Sequence, residues 1–483
     1  MTFAGPFQRK QAGKAALWRA LDVVCGQTIS FLGFAALAWL LAPEDFGIVS
    51  LAVAIIAIPC VILNEGLSTT LVQRDAITDD HITTAFWANL VISLFFVALI
   101  QLGSGWAAQI TGMERLAPLL RWLSTVLIAT ATTSIPIALY TRRMKYSTLA
   151  KRTLVANSSG TILAILLAIL GWGVWSLVVM QLCTAIFSAF VMWNKLGWRP
   201  TASFSTQTLR EMFHFTSRVV VGNVLRVVTG NTSTLIIGFS LGPKVLGYYY
   251  LVERLLVTIG SVTITPVDSI MLPVLSRLQD DIARRAETYS KLVGLDAALW
   301  IPCLFGLGIV APTLLPLLFG HKWDEAIPMI LIIAPAVAAS WSLTWPATQL
   351  LVAAGQPGAF MSLRTIHFIV NAACFLVAVR FGAIGVACAY AAVSIFMVPI
   401  TLLFIRGTSG IALKQVLKSY APALAASLIM ASALLWLRAI MTPGTPSLAM
   451  EVGLGITVYA GAYYIFGRSN MREYAATALG ALR

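Results

Sequence analysis

Two arginines lie inside the apolar stretch FTSRVVVGNVLRVVTGN, which otherwise holds mostly valine, leucine, glycine and small polar residues. They are Arg218 and Arg226. Arg254 follows at a similar depth in the next apolar segment, and Arg19 and Arg74 stand near the ends of the first two. Guanidinium groups carry a permanent charge and bind phosphate oxygens in pairs through a planar fork of N–H donors. The five arginines therefore predict a path for an anionic, phosphate-bearing ligand.

Acidic residues occur in the same apolar segments, at Asp22, Glu65, Asp268 and Asp296. A carboxylate in such a place can carry a coupling H+ or Na+, or it can form an ion pair with an arginine of a neighbouring helix. No spacing rule in the sequence chooses between these roles. The sequence predicts no catalytic residue, no metal site and no cofactor beyond this coupling ion.

The stretch SWSLTWPATQ places Trp341 and Trp345 about one helical turn apart, beside hydroxyl and amide side chains. Indole rings with polar neighbours can stack on a sugar ring while the neighbours bond its hydroxyls. Packing and anchoring at the membrane interface are the commoner roles of tryptophan in such segments. Both interpretations stay open at the level of sequence.

The composition of the chain indicates whether these residues lie in lipid or in water. Hydrophobic residues make up 59% of the chain, charged residues 11%, and the mean hydropathy is +0.86, which leaves too little polar surface to cover a soluble domain. We therefore predict an all-α integral membrane protein. The net charge of +14 is explained by basic loops and calls for no nucleic-acid partner. HExxH, Walker, dinucleotide and CxxC patterns are all absent from the sequence, which disfavours soluble-type enzymes and zinc sites.

Fourteen segments are long and apolar enough to cross a hydrocarbon layer of ~30 Å. Most of the 33 Lys and Arg residues fall in alternate loops on the side of the N-terminus, so the positive-inside rule places both termini in the cytoplasm. The first segment is predicted to span the membrane rather than to be a cleaved signal peptide. The predicted spans are residues 17–41, 47–71, 82–102, 116–140, 154–170, 174–193, 213–241, 246–272, 292–319, 327–353, 360–379, 383–404, 416–437 and 448–466.

Two short motifs recur in the same order in both halves of the chain. LAPEDFGIVSL, from Leu41, and LGPKVLGYYYL, from Leu241, share a Leu-x-Pro-x-x-x-Gly pattern, and Pro118 and Pro328 each follow an acidic residue where a helix re-enters the membrane. One such match would be ordinary turn chemistry, whereas two in register favour a six-helix repeat. Because six is even, the copies are predicted to be parallel repeats about an axis along the membrane normal.

This repeat predicts two parallel six-helix lobes around a central cavity, followed by two additional helices. The predicted parts are residues 1–205 for the N-terminal lobe, 206–410 for the C-terminal lobe, and 411–483 for the two added helices and a cytoplasmic tail. Twin lobes of this kind serve alternating access, in which rocking exposes a central site to one side of the membrane and then to the other.

Several stretches resemble the polysaccharide transporter family, the Wzx-type oligosaccharide flippases of the superfamily that also holds the multidrug MATE exporters and the lipid II flippases. They are LLAPEDFGIVSLAVAI, NEGLSTTLVQRDAITDDHITTAFWANL, GYYYLVERL, LPVLSRLQDD and LLFGHKWDEAIPMI, and the resemblance covers nearly the whole chain. It implies a transporter of the bacterial inner membrane, not an enzyme. The implied substrate is an oligosaccharide on a polyprenyl diphosphate, flipped to the periplasmic leaflet for exopolysaccharide, capsule or O-antigen (lipopolysaccharide) assembly.

With this resemblance, the five arginines would hold the diphosphate and any acidic sugars. Membrane lipids, the polysaccharide polymerase and the export machinery would be the partners. The alternative is an ion-coupled exporter of small molecules or drugs with the same fold. Organic cations would call for acidic groups at the membrane midplane, whereas the charges placed deepest are Arg226 and Arg254. A membrane glycosyltransferase or polymerase is disfavoured because the outer loops are short.

Overall fold

A computed structural model of the chain describes residues 25–74, 76–194, 196–409, 411–440 and 445–482. The side chains at 214, 215, 218, 219, 408, 409, 445, 446 and from 469 onward lie outside this description. Within the described ranges every regular element is a helix, as predicted. The beginning of the first predicted span, with Arg19 and Asp22, lies outside the described residues.

The helices follow one another through short connections. They are α1 (Cys25–Leu40), α2 (Pro43–Glu65), α3 (Leu67–Gln73), α4 (Asp79–Thr111), α5 (Leu116–Ser124), α6 (Val126–Arg142), α7 (Tyr146–Ile169), α8 (Val174–Asn194), α9 (Thr206–Ser276), α10 (Ile282–Phe319), α11 (Ile327–Ala353), α12 (Pro357–Ala378), α13 (Gly382–Ser409), α14 (Leu413–Ile440) and α15 (Thr445–Leu482). Two 3₁₀ helices, His321–Ala326 and Val379–Phe381, precede α11 and α13.

Eleven helices among the described residues are long and apolar enough to cross a membrane. Several predicted spans differ in detail from the observed helices. The predicted span 47–71 divides at Gly66 into α2 and α3, and the span 116–140 divides at Thr125 into α5 and α6. The predicted seventh and eighth spans are both within α9, where Gly242, with a φ of 81°, interrupts the helical backbone.

Local sequence explains several helix ends. Asp281 starts α10 by accepting a hydrogen bond from the backbone N–H of Arg284 at 2.9 Å, which satisfies one of the unpaired donors of the first turn. Gly320 ends the same helix with a φ of 81°, a conformation in which a side chain would be strained. Pro43 and Pro328 stand at the first turns of α2 and α11, where proline loses no helical hydrogen bond.

The exposed surface is apolar where a soluble protein would be polar. On α4, the small and polar residues Asn89, Ser93 and Ser104 are buried, while Leu102 and Trp106 are 85% and 70% exposed. Large apolar side chains facing outward and small or polar ones facing the neighbouring helices are the pattern of helices in lipid. Together with the number of apolar helices, this pattern makes the chain a multi-pass membrane protein.

The chain divides into two compact units, Met1–Gly247 (the N-terminal unit) and Tyr248–Arg483 (the C-terminal unit). In the N-terminal unit, a buried cluster draws on α3, α4, α6 and α8. Phe86 belongs to this cluster, and its ring meets those of Trp193 and Trp198 edge-on at 5.8 and 6.1 Å. The predicted division at 205 and 410 remains a prediction.

The two copies of the repeated turn contact each other within the N-terminal unit. A Cβ atom placed on Gly47 would lie 1.8 Å from the carbonyl oxygen of Pro243, and one placed on Gly247 would lie 2.0 Å from the carbonyl oxygen of Pro43. Each glycine thus packs directly against the backbone at the proline of the other copy. No residue with a side chain fits at either position without moving the backbone.

In the C-terminal unit, the core lies around α10 and α11, where Trp300 is completely buried. Helix α15 is joined to α10 by the Tyr459 hydroxyl, which donates to the carbonyl oxygen of Ala298 at 2.6 Å. Helix α14 is joined to the same helix by the guanidinium of Arg438, which donates to the carbonyl oxygen of Ile309. The last two helices are therefore part of the C-terminal unit.

Candidate functional site

Arg226 and Glu65 form an ion pair in the N-terminal unit. Helix α9 carries the arginine and α2 the glutamate, and Nη2 of Arg226 lies 2.9 Å from Oε1 and 3.0 Å from Oε2. The side chains remain 54% and 38% exposed. The structure thus joins a residue predicted to bind the substrate to one predicted to couple an ion. A charged group in a membrane-spanning helix is costly against lipid, so this exposed pair must face a polar region.

Arg74 lies at the end of α3 in a second charged cluster. Its Nη2 is 3.4 Å from Oε2 of Glu211, and its Nη1 is 2.9 Å from Nε2 of His81. The guanidinium of Arg142 donates to the carbonyl oxygens of Leu71, at 3.1 Å, and Arg74. Two basic side chains therefore meet at the end of one helix.

Of the three remaining predicted arginines, the structure describes the side chain of Arg254 only. The backbone of Arg218 is in α9, but its side chain is outside the described part, as are Arg19 and Asp22. Arg254 is half-buried in the C-terminal unit, directly after Glu253, whose Oε1 accepts a hydrogen bond from the Tyr249 hydroxyl at 2.8 Å. The roles of these residues remain predictions.

Asp268 and Asp296 lie near each other in the C-terminal unit. Asp296, on α10, is completely buried, and neither carboxylate oxygen has a hydrogen-bond partner among the described residues. Asp268, on α9, is half-buried and close enough to interact with the charge of Asp296. The Tyr289 hydroxyl, two turns before Asp296 on α10, is also buried and without a partner in the described part of the chain. Asp296 is thus a carboxyl group that the helices isolate from water.

The tryptophans predicted from SWSLTWPATQ take different positions. Trp341 stacks on the buried ring of Trp300, with centroids 5.5 Å apart and planes inclined by 4°, which is a packing contact. Trp345 is 42% exposed and lines a small cavity of about 110 Å³ together with Arg364 and His367. Packing therefore accounts for Trp341, while Trp345 keeps a ring face available to a ligand.

Sequence reasoning missed a polar set on three helices of the N-terminal unit. Asn157 on α7 and Gln181 on α8 face a cavity shared with Asn64 on α2. A signal was present, because Thr153 and Asn157 are four residues apart in one apolar span, and polar residues recur on one face of the next span from Gln181. Spans with such stripes turn one polar face away from lipid.

Comparison with known proteins identifies related chains. A sequence profile of the family described as "Polysaccharide biosynthesis protein" matches residues 36–328. The succinoglycan biosynthesis transport protein ExoT of Rhizobium meliloti (strain 1021) is 25% identical over 317 residues, which cover 66% of this chain and 64% of that protein. The lipopolysaccharide biosynthesis protein WzxC of Escherichia coli (strain K12) is 23% identical over 67% of this chain and 66% of that protein. The matches thus span just under two thirds of the length of both relatives.

The fold has a counterpart among solved structures. The lipid II flippase MurJ, in an inward-closed conformation, superimposes with a TM-score of 0.77 at 14% identity, over 95% of this chain and 99% of that one. At this level of identity the similarity shows a shared fold.

Proposed function

This chain belongs to the polysaccharide biosynthesis protein family, and on that basis we propose that it is a flippase for an oligosaccharide carried on a polyprenyl diphosphate. The names of its relatives support the proposal, since one is a succinoglycan transport protein, another a lipopolysaccharide biosynthesis protein, and the matching fold is that of a lipid II flippase. The product would feed exopolysaccharide, capsule or O-antigen synthesis. The protein acts as a transporter, not an enzyme.

The observation that carries the proposal is the half-exposed guanidinium of Arg226 within a membrane-spanning helix. It faces both oxygens of Glu65, and a diphosphate offers similarly paired oxygens with more negative charge. A diphosphate can therefore exchange with the carboxylate for the same N–H donors. Arg19, Arg74, Arg218 and Arg254 complete the proposed path.

The proposed architecture has fourteen spans in two six-helix lobes plus two helices. The count is supported by the eleven apolar helices of the described residues. Two of the assigned spans, of 57 and 51 residues, are each long enough to cross twice and are interrupted at Gly242 and at the 3₁₀ turn before Gly382, and α1 is apolar but shorter. Dividing the two interrupted spans and adding α1 leads to the predicted number. The reciprocal contact of Gly47 and Gly247 supports a repeat.

The proposed location is the bacterial inner membrane, with both termini in the cytoplasm. The distribution of Lys and Arg over the loops supports this orientation. Alternating access would bring the substrate site from the cytoplasmic to the periplasmic side while the polyprenyl tail stays in lipid. The polysaccharide polymerase and export machinery would then receive the product.

We also propose that transport is coupled to H+ or Na+ through carboxyl groups. The predicted residues are Asp22, Glu65, Asp268 and Asp296. Support comes from Asp296, whose two oxygens are buried without hydrogen-bond partners in the described part of the chain. A buried carboxylate is destabilised unless a cation or proton neutralises it.

Deletion of the gene in the native host tests the proposal. We expect a polyprenyl-diphosphate-linked oligosaccharide to accumulate in lipid extracts while the surface polymer is lost. Complementation with wild type should restore the polymer, and Arg226→Ala at an equal protein level should not. Unchanged lipid-linked pools and polymer, in a host without a second flippase, would contradict the proposal and favour the small-molecule exporter.

A further inference from the structure

A polar cavity of about 340 Å³ lies inside the N-terminal unit, among α2, α6, α7 and α8. Most residues of its lining are polar. They include Asn64, Arg152, Asn157, Gln181, Thr184 and Ser188. All the helices around it are long and apolar enough to span the membrane, so the cavity lies at membrane depth. Polar side chains are rare in such places and mark a binding site or pathway by default.

Apart from Arg152, the polar groups of the lining are neutral amides and hydroxyls. Amides and hydroxyls each donate and accept, so together they match a ligand that carries many hydroxyl groups. The amides of Asn157 and Gln181 form no hydrogen bond with another residue of the described chain. No carboxylate lines the cavity within the described ranges, which argues against a site for a metal ion or an organic cation.

The size and position of the cavity further limit the kinds of ligand that can bind there. Its volume lies at the lower end of the range of roughly 300–1,000 Å³ that is usual for small-molecule sites, which suits one or two sugar rings and not a polyprenyl chain. Asn64 lines the cavity, and the next residue of α2, Glu65, holds Arg226. The cavity therefore begins one residue along α2 from the carboxylate that holds the arginine proposed to bind the diphosphate.

We propose that this cavity is a recognition site for the sugar residue nearest the diphosphate of the lipid-linked oligosaccharide. The inference rests on the proposed function. In that substrate the first sugar is bonded directly to the diphosphate, and in the protein Asn64 of the cavity immediately precedes Glu65 of the Glu65–Arg226 pair on α2. The cavity selects the sugar by its hydroxyls, and the arginine holds the charge that every such substrate shares.

The test uses the full chain in detergent or nanodiscs and two separate probes. One is the water-soluble oligosaccharide released by mild acid from the lipid-linked intermediate of the native host, and the other is farnesyl diphosphate, a short prenyl diphosphate without sugar. Gln181→Leu removes an amide from the cavity. Gln109→Leu, on the exposed end of α4, removes one elsewhere and is the matched control.

We expect Gln181→Leu to weaken oligosaccharide binding about tenfold, or ~1.4 kcal/mol, and to leave farnesyl diphosphate binding within about twofold of wild type. Gln109→Leu should change neither. Ala185→Phe, which fills the cavity from α8, should abolish oligosaccharide binding and leave farnesyl diphosphate binding unchanged. It serves as a second variant if Gln181→Leu is unstable.

Unchanged oligosaccharide affinity in both cavity variants would overturn the inference. A wild type that binds farnesyl diphosphate but not the oligosaccharide would overturn it too, while leaving the proposed function in place. A wild type that binds neither probe would contradict both proposals.

Discussion

The contact between Gly47 and the carbonyl oxygen of Pro243 leads to a prediction about stability. The change is Gly47→Ala, which adds one methyl group to α2. The Cβ atom would start 1.8 Å from the oxygen, whereas Cβ atoms are essentially never found within 3.0 Å of such an atom. The two backbones must therefore separate by at least about 1.2 Å. Because a carbonyl of the main chain cannot rotate away as a side chain does, the turn itself has to shift.

Two opposing effects determine how much Gly47→Ala changes the free energy of unfolding. Replacing a helical glycine by alanine favours the helix by roughly 1 kcal/mol. Forcing an extra carbon into a closely packed site costs about 1–3 kcal/mol and sometimes more. Gly103→Ala on α4 isolates the first effect, since a Cβ atom there would meet nothing within 4 Å. The difference between the two variants is thus the packing term alone, about 1–3 kcal/mol in favour of Gly103→Ala.

The assay is thermal unfolding of the purified protein in one detergent, with export of the polymer measured in parallel. At roughly 2–4 °C per kcal/mol, the Tm of Gly47→Ala should lie several degrees below that of Gly103→Ala. Gly247→Ala should behave like Gly47→Ala, since its Cβ atom would lie 2.0 Å from the carbonyl oxygen of Pro43. If both variants melt together with Gly103→Ala, the reciprocal contact is not present and the reasoning fails.

Further predictions concern individual polar contacts. Arg226→Lys keeps the charge but loses the paired N–H donors, so polymer export should fall. Because the ion pair is half-exposed, the free energy of unfolding should change by no more than ~1 kcal/mol. Normal export would refute the role of the guanidinium fork. Asp296→Asn keeps the shape of a buried side chain, so size-exclusion chromatography should show a folded protein. Gradient-driven transport into vesicles should be lost, and full transport would exclude this carboxyl group from ion coupling. Tyr459→Phe removes one hydrogen bond to Ala298, and the free energy of unfolding should fall by about 0.5–1.5 kcal/mol. An unchanged Tm would show that α15 is held by apolar packing alone.

Much of the fold could be predicted from the sequence, because hydropathy over about twenty residues reports directly on the solvent around a helix. The breaks inside spans could not. Gly66 divides α2 from α3, and Thr125 divides α5 from α6, yet glycine and threonine are common within continuous membrane helices. The break at Gly242 belongs to a turn that contains Gly242-Pro243 and was predicted as a loop, although only one residue departs from helical geometry.

The candidate site was predicted in part. The sequence singled out Arg226 and Glu65 separately, for different roles, but the two are 161 residues apart and nothing local connects them. Asn157 and Gln181 were missed because the polar stripe on each helix does not by itself show that the two stripes face one cavity. Their common cavity exists only once α7 and α8 pack together with α2.

The sequence by itself determined the environment, the helical class and the residue types of the site. These follow from composition and periodicity, which act over one helix at a time. Only the tertiary structure decided which charges meet, as with Arg74 and Glu211, and which carboxyl groups are shielded from water, as with Asp296. The physical reason is that ion pairing and burial depend on distances between helices, which depend on the packing of side chains remote in the chain.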